Sequence, residues 1–420
     1  MHKRLYDYMS RKNYLYKSQY GFRHNHSTVN AITEFCFNVL QSFDERQYTL
    51  SVFLDLSKAF DTIDHTILLS KLDHYGIRGI ALDWFKSYLR DRKQYVHYKG
   101  SNSNKLNIEC GVPQGSVLGP LLFILYTNDL PNRLPNLKSI LFADDTTVYV
   151  SGNSKANMFV LMKAELDTLI DWFRANKLSL NISKTNYVLF EPPKLKMNDD
   201  SSPNDCKLTF GNDKIEEVNS VKFLGIQIDR KLSWGNQFDK VNNKLSRAVY
   251  FLNKVKNVLP HKSMLTLYYS LFHCHLMYAL VLWGTSLCKN LMDKLVIKQK
   301  KAIRAVNNAK YNAHTHDLFV SDKVLKINEL VKLEQLKMMY KSYTSDLPQP
   351  LLEIFSPNVT QYQTRQLKDP KIIKSKHEPL TNSIFSKGPL AWSNLQNSYK
   401  DSNNLKIFVK QLKKYYIENM

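Results

Sequence analysis

Three carboxylates set the terms on which this chain can do chemistry. Asp144 and Asp145 are adjacent and follow the apolar run Ile140-Leu141-Phe142-Ala143. Asp55 follows a second apolar run, Val52-Phe53-Leu54, and lies 89 positions before Asp144 (144 minus 55). Carboxylates are hard oxygen donors, and a magnesium ion usually takes one or two of them together with the phosphates of a substrate. An apolar strand ending in an aspartate can present that charge rigidly at the end of a sheet. Thr146 to Val150, rich in β-branched residues, reads as the strand returning from the Asp144-Asp145 turn. Taken singly, Asp55 could cap a helix beginning at Ser57, and the pair could be a plain hairpin turn. Only tertiary folding can bring Asp55 to the pair.

The elements that must position these groups are legible nearby. Leu56, Ala59, Phe60 and Ile63 follow helical spacing. Gly111-Val112-Pro113-Gln114-Gly115-Ser116 reads as a turn: the glycines permit unusual dihedrals and Pro113 stiffens the entry. Val117 to Tyr126 reads as a buried helix, too short for a membrane span of about 20 apolar residues. Leu178-Ser179-Leu180-Asn181-Ile182-Ser183-Lys184-Thr185 precedes a strand from Tyr187 to Phe190. Val221 to Asp229 reads as a strand in which Gly225 marks a close backbone approach. Upstream lie Ser18-Gln19-Tyr20-Gly21-Phe22-Arg23 and Ser27-Thr28.

In this order the segments resemble the reverse transcriptases, and in wording the LINE-type retrotransposons without terminal repeats, the jockey group among them. The resemblance implies an α+β fold: a right-hand polymerase palm, partial fingers, a helical thumb and a basic C-terminal region. It implies an RNA-directed DNA polymerase that joins deoxynucleotides to a primer 3′-hydroxyl with two Mg²⁺ ions, or Mn²⁺ in their place. Asp55 and Asp144 would hold both metals, the Leu56 carbonyl would complete one shell, and Asp145 would face the metal near the primer end. Phe60 would lie beneath the incoming sugar and exclude a 2′-hydroxyl, although helical spacing also allows it simply to pack. Gln114 would reach the nucleotide, and Lys184 would protonate the leaving pyrophosphate, a role worth ~10²–10⁴-fold in rate. Phe223, Leu224 and Gly225 would form the primer grip. Arg23, Lys240, Lys244 and Arg247 would meet nucleic acid.

The same resemblance marks what to expect at the margins. The chain begins a short distance before Gln19, so the triphosphate-holding basic residues of a longer fingers region are expected elsewhere, as is an endonuclease. The expected partners are an RNA template, a DNA primer or target, deoxynucleotides, and a separate endonuclease or upstream part. A second reading is a silent remnant that binds nucleic acid without synthesis; an intron-type maturase is a third.

Composition fits a partner rich in phosphate. With 43% hydrophobic residues over 420 positions, the chain can bury two or three cores. Its net charge of +22 suits sequence-independent contacts with phosphate backbones, although a merely soluble basic surface would look alike. Five scattered cysteines (Cys36, Cys110, Cys206, Cys274, Cys288) suggest reduced thiols inside the cell, and the resemblance implies the nucleus. His273-Cys274-His275 lacks a second ligand pair at zinc spacing and reads as helix core. So does the apolar stretch from Met264 to Trp283, and no membrane partner is expected.

The expected domains are partial fingers at 1–50, palm at 51–229 with a polar loop at 191–206, thumb at 230–345, and a basic, loop-rich and partly helical region at 346–420. In the thumb, Val241, Leu245, Ala248, Val249, Leu252 and Val255 make an apolar stripe edged by Lys240, Lys244, Arg247, Lys254 and Lys256.

Overall fold

The structure, a computed structural model, describes residues 1–193, 207–356, 369–375 and 377–419. Most of the polar loop expected at 191–206 and Pro357 lie outside them. The chain is a mixed helix and sheet protein that divides into two compact units. The first comprises residues 1–35 and 46–219; the second comprises 36–45 and 220–420. The boundary at 219 moves the 220–229 hairpin out of the expected palm segment and into the second unit.

A sheet of five strands organises the first unit. In chain order these are β1 Tyr48–Leu54, β2 Lys138–Phe142, β3 Asp145–Gly152, β4 Asn186–Phe190 and β5 Glu216–Glu217, arranged β5-β4-β1-β3-β2. All pairs are antiparallel except β5 with β4. Strand β1 is central and buried on both faces, which its composition allows because Tyr, Val, Phe and Leu alternate with only Thr49 and Ser51. One face packs on the helix Thr28–Asp44, where Phe35 meets Phe53, Tyr149 and Phe190 edge to face at 5.4–5.6 Å. Leu50, Val52 and Leu54 join a core with Leu121 to Leu125 and with Phe159, Met162 and Leu166, the residues of helices Gly119–Thr127 and Lys155–Ala175. Truncating a buried aromatic such as Phe35 to alanine would cost about 3–5 kcal/mol.

Several local expectations need correction. The stretch from Ser57 to Asp61 is a run of turns with Lys58 at φ 49°, not a helix. The helix starts later, at His65, and its N-cap is Asp64, whose carboxylate accepts from the Ile67 N–H at 2.9 Å. Val117 is exposed and precedes the buried helix, which runs from Gly119 to Thr127. Beyond residue 207, Thr209–Phe210 pairs with Asp213–Lys214, and the chain then leaves to add β5 beside β4.

The second unit opens with the hairpin β6 Ser220–Phe223 and β7 Ile226–Asp229. The helix Gly235–Val255 follows, burying Val241, Leu245, Ala248 and Leu252 as its stripe requires. Met264 to Trp283 is not one helix. It is a π-helical turn (Tyr268–His273) between short helices, then a break at Ala279 with φ 53°. No single described helix is long and apolar enough to cross a membrane; one bent pair has the length, at 68°. Among the described residues after 346, helices take a larger share than the prolines suggest. Helices Ile384–Ser393 and Leu405–Glu418 pack on Ile327–Tyr343, with Phe408 stacked 4.5 Å from Tyr340 and Trp392 fully buried.

Candidate active site

The sheet delivers the carboxylates to one end. Register pairs Leu54 with Thr146, so the next residues in each direction, Asp55 and Asp145, come level where β1 ends and β3 begins. Asp144 lies in the turn between β2 and β3, where Phe142 pairs with Asp145. That turn is tight. Ala143 sits at φ 57°, a left-handed conformation that L residues reach only at a cost of about 1–2 kcal/mol. Strain of this kind persists where neighbours over-determine it.

The neighbours here are Gln19 and Gly21. Segment 18–20 runs alongside β2: the Tyr20 N–H donates to the Leu141 carbonyl at 2.7 Å, and the Leu141 N–H to the Ser18 carbonyl at 3.0 Å. Gln19, only 1% exposed, accepts at Oε1 from the N–H groups of Gly21 (2.8 Å) and Ala143 (3.2 Å). Gly21 lies so close that a Cβ there would be 2.4 Å from the Ala143 nitrogen. Behind this contact is a buried carboxylate. Glu34 accepts from Tyr20 Oη at 2.5 Å and Ser18 Oγ at 2.9 Å, and burial pushes its pKa up. In sequence this segment shows only as lying upstream of Asp55, and nothing there marks Gln19 or Gly21 for this contact.

Lys184 is brought to Asp55. Its Nζ lies 3.6 Å from Asp55 Oδ2. The backbone explains why: the Asn181 N–H donates to the Asp55 carbonyl at 2.7 Å, and the Ser57 N–H to the Ser179 carbonyl at 2.9 Å. These bonds bracket the Leu56–Leu180 bridge, which directs the Leu56 carbonyl away from that segment.

Phe60 stacks on Phe123 at 4.5 Å and 25°, and meets Phe22 edge to face at 6.2 Å. It is only partly buried, so packing leaves part of its surface open. Gln114 is exposed and held: its Nε2 donates to Asp61 Oδ1 at 2.8 Å. The two stretches are laced together, with the Val112 N–H on the Phe60 carbonyl and the Gly111 N–H on that of Ile63. Gly111 has φ 83°, and a Cβ would meet the Asp61 backbone at 2.8–3.0 Å, so both its conformation and its contact require glycine. Nothing in the sequence singles out Asp61; its bond to Gln114 is what holds that side chain in place.

The remaining candidates lie elsewhere. Arg23 spends Nη1 on the carbonyls of Tyr16 (2.7 Å) and Gln19 (3.2 Å), so it clamps its own segment rather than standing open to phosphate. In the second unit, Leu224 and Gly225 form the turn between β6 and β7, while Phe223 is buried. Tyr278 Oη donates to the Leu224 carbonyl, and Lys240 Nζ to the Gly225 carbonyl at 2.8 Å. Lys240 therefore pins that turn. Lys244 and Arg247 are exposed on the helix Gly235–Val255.

The donor chemistry of the first site fits hard divalent cations. Among the described residues no three His, Cys, Asp or Glu side chains form a ready-made cage. Ions that complete their shells with water and substrate phosphate need none, since one or two carboxylates suffice.

A family model described as reverse transcriptase (RNA-dependent DNA polymerase) matches residues 1–228. The chain is 30% identical over 329 residues to a probable RNA-directed DNA polymerase from transposon BS of Drosophila melanogaster, covering 73% of this chain and 34% of that protein. It is 27% identical over 336 residues to the RNA-directed DNA polymerase from mobile element jockey of the same species, covering 77% and 35%. The chain thus spans about a third of the length of these relatives. With its matched region holding the sheet and the three aspartates, this chain belongs to the reverse transcriptase family.

Proposed function

We propose that the chain is the polymerase part of a retrotransposon RNA-directed DNA polymerase, extending a primer 3′-hydroxyl with deoxynucleotides on an RNA template. The observation that carries this reading is the convergence of Asp55, the Asp144-Asp145 turn and Lys184 at one end of the sheet. In this reading the first unit is the palm with part of the fingers, and the second contains the thumb and the C-terminal region. Asp55, Asp144 and the Leu56 carbonyl would hold two Mg²⁺ ions, or Mn²⁺, which supply charge stabilisation to the attacking and leaving oxygens.

The chain's own residues do the rest. Asp145 faces the primer hydroxyl. Phe60, backed by Phe123, floors the sugar and leaves no room for a 2′-hydroxyl. Gln114, fixed by Asp61, lies against the nucleotide. Lys184 donates a proton to the departing pyrophosphate. The Leu224-Gly225 turn steadies the primer strand, and Lys244 and Arg247 contact phosphates. Insertion into chromosomal DNA would place the work in the nucleus and require an endonuclease supplied by another part or partner.

The test is extension of a DNA primer on an RNA template by the purified chain with deoxynucleotides and Mg²⁺. Product that disappears on chelation and returns with Mg²⁺ or Mn²⁺ is expected. A chain that binds the primer–template yet adds no nucleotide in either ion would overturn the reading.

A further inference from the structure

Between the Phe60–Asp64 stretch and the Gln114 turn the chain makes an excursion that no catalytic task uses. Residues 93–107 form a projecting hairpin: Lys93–Gln94 pairs with Leu106–Asn107, and His97–Tyr98 with Ser101–Asn102. Lys99 (φ 48°) and Gly100 (φ 81°) close its tip. Every residue from 93 to 107 is exposed. An isolated two-stranded hairpin is marginal in water, and this one keeps large rings in solvent: Tyr95 is 51% exposed and Tyr98 is 68% exposed.

Its charge has one sign. Arg90, Arg92, Lys93, Lys99 and Lys105 face a single acidic residue, Asp91, over positions 90–107. The cations sit on the rings, with Lys99 Nζ 5.4 Å from the Tyr98 centroid and Lys105 Nζ 5.9 Å from that of Tyr95. The pattern continues inward, where Arg92 lies over Tyr88, itself stacked on Trp84 at 5.5 Å and 8°. The base of the hairpin is tied to the candidate site, because the Ile108 N–H donates to Arg92 and the Gly111 N–H to Ile63.

We propose that this hairpin is a contact arm for an unpaired nucleic-acid strand, the part of the template not yet copied; this rests on the polymerase reading above. Exposed rings take stacked bases, and the lysines over them take the adjoining phosphates, the combination used for single strands without sequence preference. A duplex keeps its base faces covered and offers the rings nothing to stack on. An acidic protein partner would use the charges but would not need the rings.

The experiment measures anisotropy of fluorescent oligo(U), oligo(dT) and a blunt duplex of equal length with the full chain in chelator, so that no synthesis is involved. The variants are Tyr95→Ala/Tyr98→Ala and Lys93→Gln/Lys99→Gln/Lys105→Gln; all five side chains are exposed. The aromatic pair should weaken single-strand binding about tenfold or more and leave the duplex within about twofold. The lysine set should flatten the salt slope on single strands by about 2, at ~0.7 per phosphate. Unchanged single-strand affinity and slope in both variants would overturn the arm, as would loss in the lysine set alone with the rings silent. Because the readout is binding, a parent chain that never extends a primer defeats the polymerase reading and, with it, the template role, while loss of single-strand binding in the variants would still identify the hairpin as a single-strand contact.

Discussion

Gly21→Ala reports on the contact that holds the Asp144 turn. The new Cβ would lie 2.4 Å from the Ala143 nitrogen, 3.1 Å from the Ala143 Cα and 3.1 Å from Gln19 Oε1. Ordinary contact begins near ~3.5 Å, so the turn or segment 19–21 must move by about 1 Å. The closest obstructing atom, the Ala143 nitrogen, is backbone and cannot swing away; of the three, only Gln19 Oε1 belongs to a side chain. Overpacking of this kind costs typically about 1–3 kcal/mol of stability. A misplacement of about 1 Å at a reacting centre costs on the order of 10²-fold in rate. Thermal denaturation should therefore show a modest loss. Primer extension should fall about a hundredfold, while binding of the same primer–template stays within a few-fold of the parent. Extension at the parental rate, with the protein folded, would refute the claim that segment 19–21 sets the position of Asp144.

Other outcomes follow from the same geometry. Phe60→Ala should admit ribonucleotides in an extension assay with ribonucleoside triphosphates; continued exclusion would remove the gate. Tyr278→Phe loses the bond to the Leu224 carbonyl and should weaken retention of a primer end in a challenge assay while leaving single-nucleotide addition nearly intact. Burial lowers the pKa of His26 to about 4 against an ordinary ~6.5. Between those values the unfolded chain binds more protons than the folded one, so stability declines as pH falls from 6.5 towards 4. Urea unfolding across that window should be flatter for His26→Gln; an identical slope would mean that His26 is not the group responsible.

The site was more legible than its supports. Asp55, Asp144 and Asp145 stood out because apolar runs ending in aspartate are a local pattern, whereas Lys184 came only from the resemblance; the sheet's register brings Asp55 level with Asp145, next to the turn that holds Asp144. What sequence could not supply was the reason the turn stays in place. Gln19 and Gly21 act across more than 120 positions, through one side-chain oxygen and one missing Cβ. Spacing carries no trace of such a contact. Asp61 was similarly opaque, since its partner Gln114 is 53 positions away. Periodicity misled at Leu56–Ile63, where four apolar residues at helical intervals pack from consecutive turns. It misled again at Met264–Trp283, where a continuous apolar run hides the break at Ala279. The prolines after 346 argued for loops, yet Pro389 lies inside the helix Ile384–Ser393. Basic residues were the least readable, because charge alone does not separate Lys240 and Arg23, which bond to backbone carbonyls, from Lys244 and Arg247, which face solvent.

The central claim is that the Asp144-Asp145 end of the sheet performs nucleotide transfer. Its most direct test is primer extension on an RNA template with deoxynucleotides and Mg²⁺, comparing the parent chain with Asp144→Ala at matched primer–template occupancy. Extension by the parent and none by the variant is the expected result. Extension that survives in Asp144→Ala would contradict the account.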